Sequence, residues 1–198
     1  MKTKTFSVVA SALAGVVLAG ALVYYNFMDK PAELGAEVGG ICPDFTVGTL
    51  KVEEDKFVGG GGTVSLEGVR ALNPKKVTVI NFWATWCGSC IAELPDFNRF
   101  QEAYPDDVMV LALDGERSYT EETLSTWINN KHAEWTDYSI LFGKYDEGAY
   151  DVLVDALGFS GDALPATMVV DTDGKVVFKT EGSLHYEDLE EIILPLID

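Results

Sequence analysis

The chain has 198 residues, 47% of them hydrophobic, and its 32 acidic and 14 basic side chains give a formal net charge of -18. So acidic a surface repels phosphate backbones and argues against nucleic acid as a partner, while the excess itself reads as a solvated surface that names no substrate. Three cysteines are too few for a disulfide scaffold, and neither His132 nor His185 has a partner at metal-ligand spacing, so no metal site is expected.

Lys2 and Lys4 precede an apolar, uncharged stretch from Phe6 to Met28, about 23 residues and long enough to cross roughly 30 Å of hydrocarbon. With Asp29, Glu33 and Glu37 after it, the charge pattern puts residues 1–5 in the cytoplasm and all that follows outside. Tyr24 and Tyr25 suit the outer interface. A cleaved signal peptide is the other reading, because Ala19-Gly20-Ala21 has the spacing of a cleavage site. The apolar run continues to Met28, which favours an uncleaved anchor. Cys42 lies too far downstream to be a lipidated residue. Residues 29–40 read as a tether and 41–198 as one folded domain.

Within that domain Phe45-Thr46-Val47 and Thr63-Val64-Ser65-Leu66 alternate like short strands, and Gly59 to Gly62 between them reads as a mobile hairpin tip. No Gly-Lys-Ser/Thr follows these glycines, so they are not a phosphate loop. Val77 to Trp83 is a near-continuous apolar run, as expected of a central strand covered on both faces. Helical spacing then runs from Cys90 to Tyr104, with Pro95 placed to bend it. A second buried strand is expected over Val108–Leu113, a helix over Glu121–Asn130, a short strand over Tyr138–Phe142 and a helix over Tyr150–Leu157. Ala166–Val170 and Lys175–Phe178 flank Asp171-Thr172-Asp173-Gly174 as a hairpin turned at Asp-Gly, and a last helix covers Tyr186–Leu194. Calcium at that turn is a weak alternative, since the other ligands of a calcium loop are missing. Strands alternating with helices and closing on a hairpin and helix give an α/β fold, a central mixed sheet with helices on both faces.

Cys87-Gly88-Ser89-Cys90 sits between the buried strand and the helix. A thiolate is the reactive form of cysteine, and a helix N-terminus lowers the thiol pKa through its dipole and free N–H groups. Cys90, one turn further along the same face, can attack a mixed disulfide formed at Cys87 and release a reduced substrate. Trp86 would shield the exposed sulfur and shape a partner-binding surface, with Trp83 packed close by. Two cysteines at this spacing also occur in zinc sites, but Cys42 and two scattered histidines supply no second ligand pair.

Asn81-Phe82-Trp83-Ala84-Thr85-Trp86-Cys87-Gly88-Ser89-Cys90-Ile91-Ala92-Glu93-Leu94-Pro95 resembles the active-site segment of thioredoxin-like proteins of the TlpA/ResA type. Cys42-Pro43-Asp44-Phe45-Thr46 is similar to the start of those domains, and Leu164-Pro165-Ala166-Thr167 to their cis-proline loop, so the likeness spans roughly 41 to the C-terminus. It implies a thioredoxin-like fold behind one transmembrane helix, and a redox-active disulfide between Cys87 and Cys90. It further implies that Pro165 is cis beside the cysteines, that Leu164 and Pro165 present backbone to a bound peptide, and that Glu93 moves protons to or from the thiols. The other reading of Glu93 is a carboxylate on the helix surface. Two departures stand out: Asn81 occupies the place of thioredoxin's buried Asp and cannot take a proton, and Gly-Ser replaces Gly-Pro between the cysteines.

The resemblance implies a membrane-tethered thiol-disulfide oxidoreductase needing no cofactor. Its partners would be extracytoplasmic protein disulfides, for example those of apocytochrome c during cytochrome c maturation, and a membrane electron donor of the CcdA/DsbD type. A copper-handling module using the same cysteines, and a peroxidase of the peroxiredoxin kind, are the alternatives. Cys42 is read as a small buried hydrophobe rather than a third redox group.

Overall fold

A computed structural model describes residues 37–72, 77–144, 158–159 and 163–197. The expected membrane segment Phe6–Met28, most of the tether and the expected helix Tyr150–Leu157 lie outside these residues. Among the described residues no helix is long and apolar enough to cross a membrane.

Among the described residues nine strands and four helices follow in chain order: β1 Thr46–Thr49, β2 Lys51–Glu53, β3 Lys56–Val58, β4 Thr63–Ser65, α1 Leu66–Leu72, β5 Val77–Trp83, α2 Gly88–Ala103, β6 Val108–Asp114, α3 Glu121–Lys131, β7 Leu141–Lys144, β8 Ala166–Val170, β9 Val176–Glu181 and α4 Tyr186–Ile197. A short 3-10 helix, Ala133–Asp137, lies between α3 and β7. Seven strands form one sheet in the order β4-β1-β7-β6-β5-β8-β9. β5, β6 and β7 run parallel, and β8 lies antiparallel to β5, so the sheet is mixed as expected.

Every residue of β5 is buried, which is why its sequence shows no polar alternation. Val77, Val79 and Trp83 face one core with Leu94, Phe97 and Phe100 of α2, Leu124 and Ile128 of α3, and Leu189 and Ile193 of α4. Ile80 and Phe82 face the other, with Leu66 and Val69 of α1, Met168 and Val170. Helices therefore cover both faces. The parallel step β5–α2–β6 brings the end of β5 and the start of α2 together at the C-terminal end of the parallel strands, and the cysteines lie at that corner.

Several local features differ from the expectations or add to them. β2 and β3 form a separate hairpin whose turn residues, Glu54 and Asp55, hold φ of 50° and 59°; such turns usually announce themselves with Asn-Gly or Asp-Gly, and Glu-Asp carries no such signal. Thr63–Leu66 is not a strand throughout: Leu66 opens α1, where Ser65 Oγ accepts from Gly68 N–H at 2.9 Å and caps the helix. The helix after the cysteines starts at Gly88 and runs unbroken past Pro95. The strand expected over Tyr138–Phe142 begins only at Leu141, because the Ser139 backbone is held by side chains of α2, its N–H donating to Asn98 Oδ1 at 2.7 Å and its carbonyl accepting from Gln101 Nε2.

The glycine run is not a free hairpin tip either. Gly61 N–H donates to the Thr49 carbonyl and Thr49 N–H to that of Gly62, each at 2.9 Å. Gly60 N–H donates to Glu121 Oε2 at 2.7 Å. The Asp-Gly turn matches its expectation: Asp171 Oδ1 accepts from the N–H groups of Asp173 and Lys175, and Gly174 adopts φ +85°.

Candidate active site

Cys87 is the N-cap of α2, with φ -89° and ψ 96° outside the helical range. Its sulfur accepts from the Cys90 N–H at 3.2 Å and lies 3.5 Å from Ser89 Oγ. The amide that points at this sulfur would stabilise a thiolate there once the bond to its neighbour is opened. Cys87 and Cys90 are joined as a disulfide with 5.3 Å between Cα atoms, inside the span such bonds adopt.

The two sulfurs are unequal in access. Both residues are buried, but Cys87 keeps 5% exposure and Cys90 none, so the Cys87 side of the pair is the more open. Trp86, directly before Cys87, is 67% exposed and offers an apolar ring beside the opening. Trp83 is fully buried below, its ring centroid 5.7 Å from that of Trp135 and 6.1 Å from those of Trp127 and Phe142.

Beneath the cysteine corner is a polar cluster that the sequence reading did not assemble. Glu93, three positions after Cys90 on α2, is completely buried and is no surface carboxylate. Its Oε1 accepts from Asn81 Nδ2 at 2.8 Å and its Oε2 from the Leu184 N–H at 2.9 Å. Asn81 Nδ2 also donates to Thr167 Oγ1 at 3.2 Å, while Asn81 Oδ1 is buried without a hydrogen-bond partner among the described residues. Burial pushes the Glu93 carboxyl up to about 7, against the pull of the Leu184 and Asn81 donors and of nearby His185. A carboxyl poised there holds or releases a proton near neutral pH.

The Leu164–Pro165 peptide bond is cis. Pro165 is buried and half-buried Leu164 packs against both cores, while the Pro165 carbonyl accepts from Gly182 N–H at 2.8 Å. Two residues on, Thr167 reaches Asn81, so the cis-proline loop and the Glu93 cluster share one framework. Asn81 drew attention in the sequence as the residue standing where thioredoxin has a buried Asp. Thr167 and Leu184 gave no such signal, since their parts depend on contacts across 86 and 91 positions of chain.

Cys42 belongs to the core on the opposite face of the sheet. Its thiol is buried, 3.8 Å from Met168 Sδ, and burial pushes it up to about 12, so it behaves as an apolar group. His132 stacks on Trp135 with ring centroids 4.1 Å apart, and His185 lies 3.2 Å from Asp96. Among the described residues no three His, Cys, Asp or Glu side chains converge as metal ligands.

Comparison with known proteins agrees with this geometry. The AhpC/TSA family model matches residues 38–179. The chain is 26% identical over 190 residues to the thioredoxin-like protein YneN of Bacillus subtilis, covering 90% of this chain and 94% of that one. It is 27% identical over 196 residues to the thiol-disulfide oxidoreductase ResA of Geobacillus kaustophilus, covering 96% and 95%. The thioredoxin domain of a thiol-disulfide oxidoreductase from Bacteroides vulgatus superposes with a TM-score of 0.59 at 18% identity, over 81% of this chain and 98% of that one. A thio-disulfide isomerase from Thermus thermophilus superposes at 0.55 with 25% identity, over 85% and 97%. With a thioredoxin fold and a cysteine pair at the start of its helix, the protein is a thiol-disulfide oxidoreductase, and the chain belongs to the AhpC/TSA family.

Proposed function

We propose that this protein reduces disulfide bonds of selected proteins on the outer side of a membrane, to which residues 6–28 hold it. The observation that carries the reading is the asymmetry of the pair, a Cys87 that keeps slight exposure and whose sulfur is faced by a helix amide, and a Cys90 that keeps none. In the reduced protein the Cys87 thiolate attacks one sulfur of the substrate disulfide, the other leaves as a thiolate, and a mixed disulfide forms. Cys90 gives up its proton, with Glu93 as acceptor, and attacks the Cys87 sulfur. The substrate departs with two electrons more and the protein is left as the Cys87–Cys90 disulfide. A dithiol donor in the membrane, of the CcdA/DsbD type, then returns two electrons.

Trp86, Leu164 and Pro165 form the substrate side in this reading, a ring and an extended backbone against which a peptide lies. The likeness to ResA supports apocytochrome c as one substrate, within cytochrome c maturation. Trapping tests the proposal: Cys90→Ser in the full-length protein should accumulate a mixed disulfide with its extracytoplasmic partner, identified by mass spectrometry, and Cys87→Ser should capture nothing and reduce nothing. Copper binding that consumes both thiols without turnover, or hydrogen peroxide consumption with retained rate in Cys90→Ser, would overturn it.

A further inference from the structure

The loop between β9 and α4 touches both halves of the site. Gly182 N–H donates to the carbonyl of Pro165 at 2.8 Å, and two residues on, the Leu184 N–H donates to Glu93 Oε2 at 2.9 Å. The next residue, His185, points outward. Its ring Nδ1 lies 3.2 Å from Oδ2 of Asp96, one turn after Glu93 on α2, and its side chain is 61% exposed. Its own N–H donates to Asp188 Oδ2 at 2.8 Å, fixing the entry into α4. Beside it Arg99 is 3.4 Å from Asp96 Oδ1 and stands over the Tyr186 ring at 4.2 Å. The loop is thus bonded to α2 twice, inside through Glu93 and outside through Asp96.

We propose that His185 is a positioning residue for the buried carboxyl: through Asp96 it fastens the loop 182–185 to α2 and so holds the Leu184 amide on Glu93. A surface pair then governs how readily an interior group gains or loses a proton. The reason is that a backbone N–H given to a carboxyl favours its charged form. Of the influences opposing burial at Glu93 the Leu184 amide is the largest, ahead of Asn81 and the charge of His185, while Asp96 acts in the other direction. The charges facing Glu93 are therefore His185 and Asp96 on the outside, of opposite effect, with neutral Asn81 on β5, itself bonded to Thr167 of β8, on the inside. The two charges act in opposite directions, and the Leu184 amide outranks both, so the geometric part of the pair's effect is the fixed amide.

The inference concerns the site assigned above, but its readout is the titration of Glu93 itself, which does not require that Glu93 exchange protons with the cysteines. Full-length protein carrying 13C-carboxyl glutamate would be titrated by NMR, with the Glu93 signal assigned by its loss in Glu93→Gln. His185→Ala should raise the Glu93 midpoint by about half a unit, a threefold change in proton affinity, and should speed hydrogen exchange at the Leu184 amide. His185→Asn keeps a nitrogen donor where Nδ1 stands and drops the charge; it should leave exchange at the Leu184 amide close to that of the unsubstituted protein and raise the midpoint by clearly less than His185→Ala does, the remainder being the unopposed Asp96 charge. An unmoved midpoint in His185→Ala, or an equal shift in His185→Asn, would overturn the proposal, the second because charge and not the bond would then be the cause. A shifted midpoint beside an unchanged pH profile of Cys87 reactivity would uphold this inference and remove Glu93 from the thiol chemistry proposed above.

Discussion

Asn81 and Glu93 share a 2.8 Å hydrogen bond in which the amide nitrogen donates and the carboxyl accepts. Glu93 is thereby left as the titrating member of a pair whose other member is permanently neutral. In the proposed reading the proton-handling group thus sits on the helix rather than the strand, and the strand residue orients it.

Asn81→Asp should convert this bond into a contact between two carboxyls that cannot both be charged. The pair would share a proton, and its upper apparent pKa should move above the value near 7 of Glu93 alone by about one unit. In the reduced protein the pH profile of Cys87 alkylation by iodoacetamide should move upward with it. An identical profile in Asn81→Asp and the unsubstituted protein would mean that the carboxyl does not sense the thiols.

Burial of Glu93 predicts how stability depends on pH. Its carboxyl rises from 4.5 to about 7 on folding, so between these values the folded protein holds a proton that the unfolded chain has lost. The stability gained from the neutral form is fully present below about pH 4.5 and is lost as pH rises through about 7. The unfolding free energy of the oxidised protein from urea titrations should therefore fall over this window, by about 3 kcal/mol on account of this group. Glu93→Gln should flatten that part of the fall. It should also lower the acid plateau by about 1 kcal/mol, since an amide NH2 would meet a donor at either Asn81 or Leu184. Equal slopes in both proteins would show that the carboxyl is not penalised by burial.

What was legible in the chain follows from the range of the interactions involved. β5 declared itself because a strand covered on both faces needs apolar residues throughout, and the cysteine corner followed from its position between β5 and α2. The turn at Asp171–Gly174 was legible because its capping side chain and its left-handed glycine are local. The β2–β3 hairpin was not, since Glu54 and Asp55 adopt left-handed backbone without the usual residues. Glu93 could be given a role by resemblance, but its burial could not be read: a carboxylate at helical spacing looks like a solvated one, and its partners come from β5 and from the loop before α4.

Cys42 should take no part in electron exchange. Its thiol, pushed up to about 12 and nearly covered, stays protonated at neutral pH, and only the thiolate attacks. Brief iodoacetamide treatment of the reduced native protein should label Cys87 and leave Cys42 free until denaturant is added. Cys42→Ala should keep full turnover with a small disulfide substrate and cost about 1 kcal/mol through lost packing beside Met168. Loss of turnover in this variant would restore Cys42 as a redox group.

The glycine run offers a test of whether it is fastened, as its hydrogen bonds imply, or a free tip. A Cβ added at Gly61 would come within 2.6 Å of the Thr49 carbonyl oxygen and 2.9 Å of the Leu50 carbonyl carbon. These are backbone atoms, so no side-chain rotation relieves the contact, and the paired bonds between Thr49 and residues 61–62 would have to part. Gly60 differs: nothing lies within 4 Å of an added Cβ, and only its φ of +75° resists substitution. Gly60→Ala should therefore cost about 1 kcal/mol, the usual penalty for a left-handed alanine, and Gly61→Ala about 1 to 3 kcal/mol from forced overlap. Glu121→Ala should remove the bond to the Gly60 amide and cost about 1 kcal/mol. Thermal or urea unfolding of the three variants measures these differences. A free tip would absorb Gly61→Ala with almost no loss, and that result would contradict the bonded arrangement.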